Sequence, residues 1–321
     1  MDGFTDEHVF QASIGGELVA PEATCRTCNR ACSLAFESKF LNAVKILTHL
    51  LGIANRKGDV PSIEVTLRVD GRPFKGVLHS DGELEIQNQF EKQVADGKVV
   101  KRWWLFTEDS LEQLQKAAAK RGERLVNEAP TGKDIEFVPE SFMPLDFMNS
   151  AEAKRTAAKV ALTCAAAKLG QNFACSGAFD VLRRYILTGE GECARLFFNQ
   201  NFAAHTQAGP FQHSVILSCN AKTHTVYAIV MFFGTMTYLV CLSSTYEGVD
   251  FGSQYAFNAR ERKEVPIFVG HLENERLAVE DVLGVSTRFG DVMAVANHGA
   301  AVIESAAAPR RIAVTPPEDD L

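Results

Sequence analysis

The sequence predicts an α+β protein built on antiparallel sheet, and three observations carry that expectation. Between residues 62 and 106 apolar and polar residues alternate, beginning with Ile63, Val65, Leu67 and Val69, and the runs are divided by Asp70-Gly71, Asp81-Gly82 and Asp96-Gly97. Such dipeptides make tight hairpins between strands of period two. Residues 33–51 and 150–168 instead follow a helical period. The uncharged run 226–242 is rich in β-branched and aromatic residues and is broken at Gly234-Thr235, so it reads as two buried hairpin strands and not as a membrane span.

The elements divide the chain into an N-terminal motif with its following helix at 1–58, a β-meander plus helix at 59–126, a linker at 127–149, a C-terminal α+β domain at 150–298 and a disordered acidic tail at 299–321. In the helix of 33–51, Leu34, Leu41, Val44, Leu47 and Leu51 form the apolar stripe. Val99 to Phe106 closes the meander, and Trp103-Trp104 would put one indole on each face. A helix over 110–121 follows, stopped by Gly122. Pro130, Pro139 and Pro144 interrupt any period in the linker. Ser150 is placed to cap the alanine-rich helix, which Gly170 ends. A second helix over 176–187 would bury Phe179, Leu182 and Ile186 and stop at Gly189. Strands are expected at 213–219, 225–233 and 237–242.

Composition limits the functional classes. With 46% hydrophobic and 23% charged residues, the chain is of the ordinary globular kind. A formal net charge of -7 argues against wholesale coating of nucleic acid. Residues 25–57 depart from that balance, with Arg26, Arg30, Lys39, Lys45, Arg56 and Lys57 against Glu37 alone. A basic helix face there suits phosphates, or is simply a solvated face. Eight cysteines without a dense framework, and no secretory leader, fit a reducing cytoplasm. Cys164, Cys175, Cys193, Cys219 and Cys241 read as buried thiols, and Cys32 as a core cysteine.

Chemistry concentrates in the first forty residues, in Asp6-Glu7-His8, the Gly15-Gly16 turn and Cys25-Arg26-Thr27-Cys28-Asn29. Phosphodiester hydrolysis needs a base to deprotonate water and a hard cation against the transition-state phosphate. His8 titrates near neutral pH and can serve as that base. Glu7 and the amide oxygen of Asn29 are hard ligands for Mg²⁺ or Mn²⁺, while Cys25 and Cys28 suit Zn²⁺. Glu7 and His8 are consecutive, however, and a regular strand sends neighbours to opposite faces. Sharing one site requires the strand to bend.

Thr5-Asp6-Glu7-His8-Val9-Phe10, Ser13-Ile14-Gly15-Gly16-Glu17-Leu18 and Ala23-Thr24-Cys25-Arg26-Thr27-Cys28-Asn29, with the helix reaching Phe36-Glu37, resemble the HNH (ββα-metal) endonuclease family in its Cys-x-x-Cys-Asn form. The likeness covers about an eighth of the chain. The resemblance implies a ββα fold, His8 as general base, Glu7 and Asn29 as ligands of a catalytic Mg²⁺ or Mn²⁺, and a structural zinc on Cys25 and Cys28. Its substrate would be DNA, with RNA also open, contacted by Arg26, Arg30 and Lys39, and its product a nick or a double-strand cut. Only one Cys-x-x-Cys is present, so a further cysteine pair is expected upstream of Met1. A homodimer is compatible with this reading, and no membrane partner is expected.

Two rivals stand beside it. A catalytically silent module would keep the knuckle as a scaffold for binding nucleic acid or a partner. A redox regulator would instead cycle Cys25, Cys28 and Cys32 through disulfides. The second domain carries no comparable chemistry: His205, His213 and His224 lack a metal-ligand spacing, Thr131-Gly132-Lys133 lacks the rest of a phosphate loop, and Gly189-x-Gly191 lacks a third glycine.

Overall fold

A computed structural model describes residues 3–69, 72–87, 89–95, 98–104, 108–121, 135–139, 145–197, 209 and 211–266. In chain order these form β1 (Phe4–His8), β2 (Val19–Cys25), α1 (Arg26–Cys32), a π-turn (Ser33–Glu37) and α2 (Ser38–Leu51). Next come β3 (Ile63–Val69), β4 (Arg72–Leu78), β5 (Leu84–Ile86), β6 (Gln89–Ala95), β7 (Lys98–Trp104), α3 (Glu108–Arg121) and β8 (Ile135–Pro139). The remainder comprises α4 (Leu145–Met148), α5 (Ala151–Leu169), α6 (Gln171–Ala174), α7 (Asp180–Thr188), β9 (Ala194–Leu196), β10 (Gln212–Asn220), β11 (Thr225–Phe232), β12 (Met236–Ser243), β13 (Phe251–Asn258) and β14 (Lys263–Glu264). Among the described residues every strand pairing is antiparallel, in keeping with the α+β expectation.

The chain forms two compact units, Ser62–Phe142 and the remainder, Met1–Pro61 with Met143–Leu321. The smaller unit carries a sheet in the order β5-β4-β3-β8 and a separate β6-β7 ribbon. Two findings differ from the expected division. Residues 135–139, within the expected linker, pair with β3 as a sheet strand, and the described parts of 1–58 and 150–298 belong to one unit. The indoles of Trp103 and Trp104, the Thr131-Gly132-Lys133 segment, His205 and the tail at 299–321 lie outside what is described.

The larger unit is built on a six-stranded sheet in the order β14-β13-β10-β11-β12-β9. Val215, Leu217, Ala228, Val230, Phe232, Tyr238 and Val240 turn one face into a core shared with α2, α5 and α7. The 226–242 hairpin is therefore a pair of buried strands, and no helix among the described residues is long and apolar enough to cross a membrane. The N-terminal residues join the same core. Phe10 is wholly buried, edge-on to Phe232 at 5.4 Å and beside Phe257 at 5.6 Å. Burying such a ring contributes about 1.5–3 kcal/mol.

Two helices match their sequence signals closely. Ser150 Oγ accepts the Ala153 N–H at 3.2 Å and caps α5, and Gly189 in the left-handed region closes α7 over buried Phe179, Leu182 and Ile186. One helix does not. The chain from Ser33 to Leu51 is interrupted by the π-turn, where Ser38 N–H reaches back five residues to the Ser33 carbonyl. The extra residue shifts the helical phase, so Val44, Leu47 and Leu51 are buried while Leu34, before the shift, is 69% exposed. Of the cysteines expected to be buried, Cys164 and Cys219 are, Cys193 and Cys241 are half-buried, and Cys175 is exposed because it follows the short α6 at the surface.

Candidate functional site

β1 and β2 form a hairpin that runs directly into α1, with Cys25 at the junction. The pairing is Phe4↔Cys25 and Thr5↔Thr24, then slips to Glu7↔Ala20 and His8↔Val19. The additional residues bulge from β2, where Glu22 takes φ 51 and donates its N–H to Asp6 Oδ1 at 3.2 Å. Beyond β1 the chain folds back at Gly15-Gly16. Gly16 admits no side chain, because a Cβ there would lie 1.8 Å from the Phe10 carbonyl oxygen.

The bulge does not bring Glu7 and His8 to one face. Glu7 points inward and is nearly fully buried. His8 is half-buried on the other side, its Nδ1 making no hydrogen bond among the described residues, and the charges acting on it are those of Arg56 and Glu17. Burial, then the Arg56 charge, lowers its pKa, so the ring is neutral at pH 7.

Glu7 and Asn29 each contact one group, and that group is the ammonium of Lys159. Lys159, from the middle of α5, places Nζ 3.2 Å from Glu7 Oε1, 3.1 Å from Asn29 Oδ1 and 2.9 Å from each carboxylate oxygen of Glu37. Gln11 Nε2 donates to Glu37 Oε1 at 2.9 Å. The Lys159, Glu7 and Glu37 side chains are only 8%, 11% and 7% exposed. The π-turn has a local role here, since it ends at Glu37 and sets that carboxylate toward the core. Burial raises the Glu7 pKa, with Lys159 opposing. Burial alone would lower that of Lys159, but Glu37 and Glu7 outweigh it and hold the ammonium above its ordinary value.

The donors do not fit the metals the resemblance implies. With Lys159 in place, a divalent cation at Glu7 and Asn29 would sit against a buried ammonium in a poorly screened site. Around the knuckle, the Cys25 Sγ accepts the Cys28 N–H at 3.2 Å and acts as the N-cap of α1. The hydrogen bond with Cys25, then burial, raises the Cys28 pKa, and burial pushes the Cys32 thiol up to about 11. Zinc takes four donors in such sites. Among the described residues no group of three or more His, Cys, Asp or Glu is placed to hold a metal.

Arg26 and Arg30 are exposed one turn apart on α1. Lys39, at the start of α2, is drawn to Glu152 at 3.0 Å. Lys159 and Gln11 had no part in the sequence reading of the site, and Glu37 entered it only as the end of the resembling stretch. The available signal was a single charge inside the apolar stretch Ala157-Ala158-Lys159-Val160-Ala161, a position where an unpaired lysine would be severely penalised. Comparisons with protein families, with curated proteins and with solved structures return no match.

Proposed function

We propose that this chain is an HNH-type ββα protein directed at nucleic-acid phosphodiesters, in a form that binds without metal-dependent hydrolysis. The observation that carries the reading is the convergence of Glu7 from β1 and Asn29 from α1 on one positive centre supplied by Lys159. The hairpin-to-helix frame and the paired ligand residues are those of the resemblance, while the catalytic cation is replaced by a fixed side chain. Arg26 and Arg30 present the phosphate-binding face. A second reading, endonuclease activity, is favoured by His8, whose pKa is lowered by burial and by the Arg56 charge, so that the ring is neutral at pH 7 as a general base must be.

Two assays on the full chain separate these. Gel shift of a short DNA duplex at low salt is expected to show binding that Arg26→Ala/Arg30→Ala weakens. Supercoiled plasmid with Mg²⁺ or Mn²⁺ is expected to stay intact. Cutting that EDTA abolishes and His8→Ala loses would establish the endonuclease instead, and absence of both binding and cutting would overturn the nucleic-acid assignment.

A further inference from the structure

We infer that Lys159 is a resident cation occupying a latent divalent-metal site, and that removing its ammonium turns Glu7, Glu37 and Asn29 into a binding site for a hard divalent ion. This deepens the reading above, but its readout is metal binding, which is independent of whether the chain binds or cuts DNA.

The geometry is that of a cation site. An ammonium has three N–H donors, and they are shared among three residues, Glu7, Glu37 and Asn29, drawn from β1, the π-turn and α1. Every acceptor is oxygen, the donor type of Mg²⁺, Mn²⁺ and Ca²⁺. Two carboxylates face one lysine, so the positive charge is one short of neutralising them, and a divalent ion would complete the balance. Glu7 Oε2, buried and without a hydrogen-bond partner among the described residues, is a further oxygen available to such an ion. Gln11 anchors Glu37 from outside the cluster, as outer-shell partners of metal carboxylates do. Cys32 borders the cluster but is a buried thiol, so it adds no hard donor.

Lys159 reaches the site from α5, far from the head in sequence, and its arrival excludes the metal by charge and by volume. Truncation to alanine would empty the position of both while leaving the oxygens on their own elements. A small ion retaining several waters suits the space that the lysine stem vacates.

The test is titration of the full chain with Mn²⁺, followed by electron paramagnetic resonance of the free ion. Wild type is expected to show no binding that Glu7→Gln alters. Lys159→Ala is expected to bind one Mn²⁺ at least about tenfold more tightly than wild type, as affinity follows the uncompensated ligand charge. Glu7→Gln/Lys159→Ala should lose that gain. If the alanine variant is unfolded without metal, recovery of its circular dichroism on adding Mn²⁺ supports the inference, and Lys159→Gln, which keeps hydrogen bonding but removes the charge, carries the same titration. The inference is overturned if wild type binds Mn²⁺ through Glu7, or if folded Lys159→Ala or Lys159→Gln binds no better than wild type.

Discussion

At the scale of single residues, the buried polar groups set the pH response. His213 is wholly buried among Phe10, Phe233 and Phe257, and it accepts the Phe233 N–H at Nδ1. Burial pushes its pKa down to about 3, against 6.5 in an unfolded chain. Between these values the unfolded chain binds the extra proton, so the stability this residue carries is whole above pH 6.5 and is lost as pH falls toward 3. His213→Gln is therefore expected to flatten the dependence of unfolding free energy on pH between 4 and 6, by up to about 1.4 kcal/mol per pH unit. Urea denaturation at several pH values checks it, and an unchanged slope would mean the imidazole is not held neutral. Lys159 shows why such residues escape a sequence reading. Its role depends on Glu37, 122 residues away, and on Asn29, 130 away, and no local pattern links them. Glu7 and Asn29 were joined in the sequence only through the resemblance, as ligands of one metal. The centre on which they meet was not legible.

At the scale of elements, legibility followed the range of the interactions that make each one. Ser150 and Gly170 bound α5 through contacts within one turn, so residue type alone marked both ends. Ser150→Ala should cost about 1 kcal/mol by removing the hydroxyl that receives the Ala153 N–H, measured as a lower urea midpoint. A loss well below that would show the helix start to be fixed by packing rather than by its cap. The π-turn was illegible for the opposite reason. Nothing in Ser33–Glu37 disfavours an ordinary helix, and the insertion is set by the demands of two buried positions, Phe36 in the core and Glu37 at Lys159. Periodicity therefore gave the right phase for α2 and the wrong one for Leu34. Similarly, β8 stands in a proline-containing stretch whose pairing with β3 is long-range, and its sequence carries no turn signal toward that partner.

At the scale of the whole molecule, the charge distribution constrains how the proposed nucleic-acid binding would work. A net charge of -7 repels a polyanion at long range, so attachment must rest on a local face within about a Debye length, roughly 10 Å at 0.1 M salt. On the proposed reading, exposed Arg26 and Arg30 would supply that face on α1, and Lys39 would add less because it is paired with Glu152. Two to three phosphate contacts predict a slope of log affinity against log salt of about -1.8 to -2.7. Raising salt from 50 to 200 mM should then weaken binding roughly 10- to 40-fold. Arg26→Ala/Arg30→Ala should bring the slope to about -1 or shallower, without altering the thermal midpoint, since both side chains are exposed. Glu152→Gln should act in the opposite sense by releasing Lys39. Fluorescence anisotropy of a labelled duplex across a salt series measures all three. A slope unchanged by the double substitution would move the binding face away from α1, and a slope near zero would remove phosphates from the recognition altogether.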